Sequence, residues 1–392
     1  IWILRLTAEL IKSDNYNGPV ANFGCNVGRT GRDCNIKIHG GTFVGGQLLW
    51  FRGEGAKTLT IDGDTTLQST GGTADAVVVG GHGQLIFDSG TIEVSGGSER
   101  SALRIVERGE AIVNDGTFKG AKYDIYERNN DSSVPPCRVQ LNSATFDDKV
   151  CNVYLQKDRQ IDVAQNYTGE VTIECADPKD GRQLTKDTET NYQKDLNLTS
   201  ANAGYLVGYK KTEDGKEYRC LSKKVGVTIS GLEGAIKAEE PAEFTVTLTH
   251  AGSTGTGILT FGDKNGEIEY KDEHGAYQRM PENGLNNIDL TGGRKDYTFR
   301  ITPQNAGEQK LTAAVVRDDV ELGTADKGFT VAGRVHTTVA IEGLENAVIK
   351  EGESKDFTVK VDPKDDANLG EAAIDFGDKN GEIEYKDEES GE

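Results

Sequence analysis

Five basic residues recur at comparable places in the first part of the chain: Arg52, His82, Arg108, Arg128 and Lys157. Four stand directly before a turn-forming residue, as Arg52-Gly53, Arg108-Gly109, Arg128-Asn129 and Lys157-Asp158. The fifth lies in Gly81-His82-Gly83. Brought to one edge, such groups would hold an anionic ligand, such as an acidic glycan or an acidic protein segment, through charge-assisted hydrogen bonds. The alternative use of the same edge is a solvated one, with the interleaved Glu54, Glu107, Glu127 and Asp158 offsetting the positive charges. Either use requires elements that repeat at the spacing of the basic residues.

Such elements are present. Between Ile36 and Phe146 a short phrase occurs five times: two alternating apolar residues, a polar turn residue, a small residue, Thr and a large apolar residue. The apolar pairs are Ile36/Ile38, Leu59/Ile61, Leu85/Phe87, Ala111/Val113 and Val139/Leu141. The Thr-apolar pairs end in Phe43, Leu67, Ile92, Phe118 and Phe146. Thr42, Thr66, Thr91, Thr117 and Thr145 are 24, 25, 26 and 28 residues apart, a period that signals a stacked solenoid. Because strand side chains alternate, each apolar pair must point one way, and stacked coils then form inward apolar columns. A second strand follows in each coil: Leu48-Leu-Trp50, Val77-Val-Val79, Leu103-Arg-Ile105, Ile125-Tyr126 and Val153-Tyr-Leu155. The segment before it varies most in length, so insertions cluster at one corner, often where solenoids bind.

The turn position after the apolar pair reads His39, Asp62, Asp88, Asn114 and Asn142. These residue types bond nearby backbone at bends, which gives a structural column; calcium shared by Asp62 and Asp88 is the functional alternative. Catalytic signatures are wanting. Gly81-His82-Gly83 precedes Asp147-Asp148, the reverse of the order in polygalacturonase-like enzymes, and adjacent strand residues point to opposite faces rather than across one substrate. A lyase-like set, with Asp62 and Asp88 on calcium and Arg108 as base, is the remaining enzymatic arrangement. No nucleophile elbow, phosphate loop or His-Glu-x-x-His helix occurs. No catalytic residue, metal or cofactor is therefore assigned.

Beyond Ile161 the repeat decays, and 161–223 reads as a β cap and connector covering the open end of the coil. A second repeat follows. Phe261 to Glu273 recurs unchanged as Phe376 to Glu388, Gly231-Leu-Glu233 as Gly343-Leu-Glu345, and Phe244-Thr-Val246 as Phe357-Thr-Val359. Alternating strands such as Phe244/Val246/Leu248 and Tyr297/Phe299/Ile301 predict a β-sandwich over 224–334 and a partial second one over 335–392. The Asn265-Gly266 step marks a hairpin turn, whereas an EF-hand would need its Gly two positions later. The expected fold is all-β: a right-handed parallel β-helix over 1–160, then Ig-like sandwiches, the last truncated.

A net charge of −20 argues against nucleic acid or an anionic membrane as general partners. No apolar run reaches membrane-spanning length, and Ile1 to Leu6 is too short for a signal segment; the chain is expected to be a fragment. Cys25, Cys34, Cys137, Cys151, Cys175 and Cys220 show no zinc spacing and leave disulfides and free buried thiols equally open.

A Gly/Thr-rich solenoid, a connector and tandem sandwiches in this order resemble large surface proteins of Gram-positive gut bacteria. Thr260-Phe-Gly-Asp263 and Asp375-Phe-Gly-Asp378 resemble the core motif of PKD-type Ig-like modules, without the usual preceding Trp. The resemblance implies an extracellular, wall-attached protein with sandwiches as spacers. The expected function is non-catalytic: an adhesin-like or structural protein whose solenoid edge, through Arg52, His82, Arg108, Arg128 and Lys157, meets a glycan or a host-matrix or cell-surface protein. A carbohydrate-active enzyme acting on acidic polysaccharide is the alternative.

Overall fold

The computed structural model describes residues 2–6, 10–12, 19–24, 34–70, 74–128, 137–147, 151–189, 192–250, 255–333, 337–344, 348–350, 352–363, 374–376 and 382–384. Cys25, Asn129, Asp148 and most of the repeated 376–388 block lie outside them, as do the side chains of Cys34, Glu54 and Cys137.

The chain is all-β, and its first half is a parallel solenoid of about six turns with three strand faces. The first face carries the alternating apolar pairs. Its strands are Trp2–Leu6, Cys34–His39, the second halves of Gln47–Asp62 and Val77–Phe87, then Glu110–Val113, Cys137–Leu141 and Gln160–Val163. The second face stacks the Thr strands Leu10–Lys12, Thr42–Gly45, Thr66–Ser69, Thr91–Val94, Thr117–Lys119 and Thr145–Phe146. The third face runs from Pro19–Gly24 through the first halves of the two long strands to Ser101–Val106, Tyr123–Arg128 and Cys151–Leu155. Its parallel ladder continues into the connector region as Val171–Cys175 and Leu198–Ser200.

Register explains the core. Phe43 pairs with Leu67, Leu67 with Ile92, Ile92 with Phe118 and Phe118 with Phe146. The first four are buried and Phe146 partly so. Both apolar columns of the first face are buried from Ile36/Ile38 through Ile161/Val163. The Phe118 ring lies 5.1 Å from Phe87 and 5.9 Å from Phe146, so columns from two faces meet inside the coil. Each such side chain contributes about 1.5–3 kcal/mol. Gly116 makes the turn between these faces at φ +128°, where an added Cβ would lie 2.3 Å from the Phe87 ring; only glycine fits both constraints.

An antiparallel hairpin, Tyr205–Lys211 with Glu217–Lys223, follows the coil. Next come two five-stranded sheets whose inner side chains form one separate core including Phe244, Phe299, Leu259 and Leu311. Arg317 in the second sheet donates two hydrogen bonds to Asp180 at 2.7 and 3.0 Å. Asp180 also accepts from the Lys223 backbone N–H. Both side chains are nearly enclosed, 9% and 1% exposed. Gly323 packs here against the Val225 carbonyl, which an added Cβ would strike at 1.9 Å. Coil, hairpin and sandwich thus meet through directional contacts. A final two-stranded sheet joins Thr337–Glu342 to Thr358–Pro363.

Candidate ligand-binding face

The third face turns one residue of each strand outward between two inward ones. Leu49/Phe51, Val77/Val79, Leu103/Ile105, Ile125/Glu127 and Val153/Leu155 are buried. The residues between them are Trp50, Val78, Arg104, Tyr126 and Tyr154, and all five stand in register, with Glu174 next in the row. At about 4.8 Å per coil, this is an outer strip of rings and charged groups, interrupted by the buried Val78. Tyr126 and Tyr154 lie 4.8 Å apart between centroids, and the Arg104 guanidinium sits 5.5 Å from the Tyr126 ring. Tyr123 joins them from the strand start, 4.7 Å from Tyr154, with its hydroxyl donating to Glu174 at 3.4 Å. Arg104 is oriented by Asp75, to which it donates at 2.9 Å. Aromatic faces flanked by hydroxyl, carboxylate and guanidinium groups can stack on apolar ligand faces while bonding their polar rims.

The five basic residues fall into two rows rather than one column. Arg52 pairs with Gly80 and Arg128 with Val106, so both stand on the outer surface of the third face, two residues beyond Trp50 and Tyr126. His82 and Arg108 lie in the following corner, where Arg108 Nη1 approaches His82 Nε2 at 3.5 Å. Lys157 is exposed in the corner turn of a later coil. The sequence pattern treated a strand position and a turn position as equivalent, and strand register separates them. Arg52 is ion-paired with Glu107, whose other oxygen accepts from Gly81 N–H at 2.9 Å. Arg128 and Lys157 form no ion pair among the described residues. Glu127 does not interleave with this surface: it points inward, fully buried, and pairs with Arg138 at 2.9 Å.

The acidic positions are used differently. Asp62 pairs with Lys37 at 2.6 Å and His39 at 2.7 Å; burial opposes its ionisation, but these partners hold its carboxyl below the usual value. Asp88 accepts from Asn114 at 2.7 Å, and Asn114 accepts from Asn142 at 2.6 Å. The column therefore satisfies itself across coils. It lies at the turn between the first and second faces, whereas Arg108 lies between the third and the first, so the lyase-like set is not assembled. Among the described residues no three His, Cys, Asp or Glu converge as a metal site. Asp124, at the start of the third face, is buried and its carboxyl is pushed up to about 7 by desolvation, against hydrogen bonds from Gly120 and Asn152. Cys151, Cys175 and Cys220 are free thiols.

The outer aromatic row was missed by the motif reading because each coil contributes one member, and two members are Val78 and Arg104. Its signal was available in the residue between each inward pair. No helix among the described residues is long and apolar enough to cross a membrane. No family model matches the chain, and no curated protein is similar to it. Among solved structures, a Pseudomonas fluorescens alkylpurine DNA glycosylase AlkC bound to DNA containing an abasic site analog matches at 13% identity, over 28% of this chain and 30% of that one, with a TM-score of 0.17. The ASH/PapD-like domain 7 of human CEP192 matches at 16% identity, over 28% of this chain and 83% of that one, with a TM-score of 0.16. Similarity this low carries no argument about function, and the chain spans under a third of the first of these structures.

Proposed function

We propose that this is a non-catalytic extracellular surface protein, adhesin-like, whose solenoid binds an extended, partly anionic ligand across its third face. An acidic glycan is the ligand class that suits the surface, and the Ig-like repeats act as spacers toward a wall-attached end. The observation that carries the reading is the outer row Trp50, Arg104, Tyr126, Tyr154, in register beside Arg52 and Arg128. Rings supply sequence-tolerant stacking along a polymer, and the adjacent cations select negative groups on it. Against a net charge of −20, such binding depends on local cations and weakens as salt rises.

The test is a glycan and matrix-protein array probed with the full chain. Tyr126→Ala with Tyr154→Ala is expected to weaken retained ligands at least about tenfold, equivalent to ~1.4 kcal/mol. Arg52→Glu with Arg128→Glu is expected to remove the anionic members of that set. Unchanged binding in both variants contradicts the reading, and release of new chain ends from a bound polysaccharide replaces it with the enzymatic one.

A further inference from the structure

The coil and the first sandwich have separate apolar cores, and the contacts between them are polar and directional. Val207 and Leu221 of the hairpin belong to the core of the coil, whereas Val225, just beyond the hairpin, belongs to that of the sandwich. Backbone pairing carries the coil into the hairpin. Ile161 N–H donates to the Leu184 carbonyl at 2.9 Å, and Leu184 and Leu221 N–H donate to the Arg219 and Arg182 carbonyls, each at 2.8 Å. The segment around Leu184 is thus bonded to Gln160–Val163 on one side and to Glu217–Lys223 on the other.

From the sandwich side, one tight turn reaches this assembly. Arg317 pairs with Val320 across Asp318 and Asp319, both in the left-handed region at φ +51° and +62°, the two-residue turn that suits the twist of the strands it joins. The two carboxyl groups act electrostatically on Tyr218 and Tyr209, which places the turn beside the hairpin. Three sets of bonds then fix its position. Arg317 donates to both carboxylate oxygens of Asp180, Asp180 accepts from Lys223 N–H at 2.8 Å, and Val225 N–H donates to the Leu322 carbonyl at 2.9 Å. Val225 and Leu322 are buried, and the ion pair is nearly enclosed, so water competes little for these bonds.

Linked domains ordinarily move relative to one another unless the interface between them is large and apolar. A bidentate guanidinium–carboxylate pair achieves the same in a small area, because its two parallel bonds fix direction as well as distance. We infer that coil, hairpin and first sandwich form one rigid arm, with Asp180 as the pin that holds the sandwich at a fixed angle to the coil. The outer row of the third face is then presented in one orientation relative to the sandwich, whatever that row binds.

The experiment is a spin-label distance measurement on the full chain, with labels at the exposed positions Asp64 in the coil and Glu308 in the sandwich, attached through a keto amino acid so that the cysteines are untouched. The parent is expected to give a single narrow distance distribution. Asp180→Ala and Arg317→Met are each expected to lose the narrow peak. A control pair inside the coil, at Asp64 and Gln165, is expected to stay narrow in both variants, which separates a loosened joint from a loosened coil. If Asp180→Ala does not fold, the parent and Arg317→Met carry the test. A broad distribution in the parent, or a folded variant as narrow as the parent, overturns the inference.

Discussion

Two edges of the same solenoid use their polar residues in opposite ways. At the turn between the first and second faces, Asn142 donates to Asn114, Asn114 to Asp88, and Asp62 is held by Lys37 and His39. Every group there is committed to a neighbouring coil, as expected of a column that fixes turns. On the outer surface of the third face, Tyr126 and Tyr154 commit only ring area to each other, and Arg128 has no ion pair among the described residues. Stacking identical coils thus produces one edge that holds the coil together and one that has groups left over for a ligand. The proposed ligand site lies on the second.

The largest expected effect concerns how the third face is held from inside. Glu127→Ala removes the buried carboxylate paired with Arg138 and is expected to cost about 3–5 kcal/mol, read by denaturant unfolding. If it is silent, the outer row is not positioned by this buried pair.

The next effect has the opposite sign and sharpens the comparison by pH. Asp124 binds its proton more tightly folded, at about 7, than unfolded, near the ordinary 3.8. Its contribution to stability is therefore complete below about 4 and is lost as pH rises through 7, a change of up to ~4 kcal/mol. Glu127, also pushed up to about 7 by burial, acts in the same direction. Asp124→Asn is expected to flatten the decline between pH 4 and 7 and to leave the chain more stable than the parent at pH 8. A parallel pH profile in the variant contradicts this.

Asn114→Ala tests the committed edge. It breaks two links of the ladder and is expected to cost about 1–2 kcal/mol in unfolding experiments, with ligand retention unchanged. Tyr126→Ala with Tyr154→Ala should show the reverse, with a stability change within about 1 kcal/mol because both rings are partly exposed. If the ladder variant loses ligand and the tyrosine variant keeps it, the two edges have been assigned the wrong way round.

Much of the coil was legible in the chain. Ile36/Ile38 and their counterparts carry period 2, and the recurring Thr-apolar step places Phe43, Leu67, Ile92 and Phe118 in one column. Both signals are local, so they survive without knowledge of neighbours. The candidate face was less legible because its composition emerges only from register between coils. Trp50, Arg104 and Tyr126 look unrelated until Val78 is seen to stand between the first two. Glu127 was misplaced on the surface for a similar reason. Its charge suggested solvent, although it shares strand parity with the buried Ile125, and only Arg138 from the next coil explains why a carboxylate can lie inward. Arg52 and Arg108 were aligned by the glycines after them, whereas register puts Val106 in the row of Arg52, and Arg108 two residues farther along its coil.

The same repeat also appears in two settings. Val227 and Leu248 are 8% and 0% exposed in the first sandwich, while their counterparts Val339 and Val361 are 60% and 39% exposed in the final two-stranded sheet. In the first copy, Gly293–Thr302 pairs with the strand containing Leu248. Similar strand sequences are thus buried in one sheet and exposed in the other.

The central claim is tested most directly by equilibrium binding of the full chain to an array-selected acidic glycan, comparing Tyr126→Ala/Tyr154→Ala with Asn114→Ala. The account predicts at least about tenfold weaker binding for the tyrosine variant and parental affinity for the asparagine variant. Parental affinity in the tyrosine variant would contradict it.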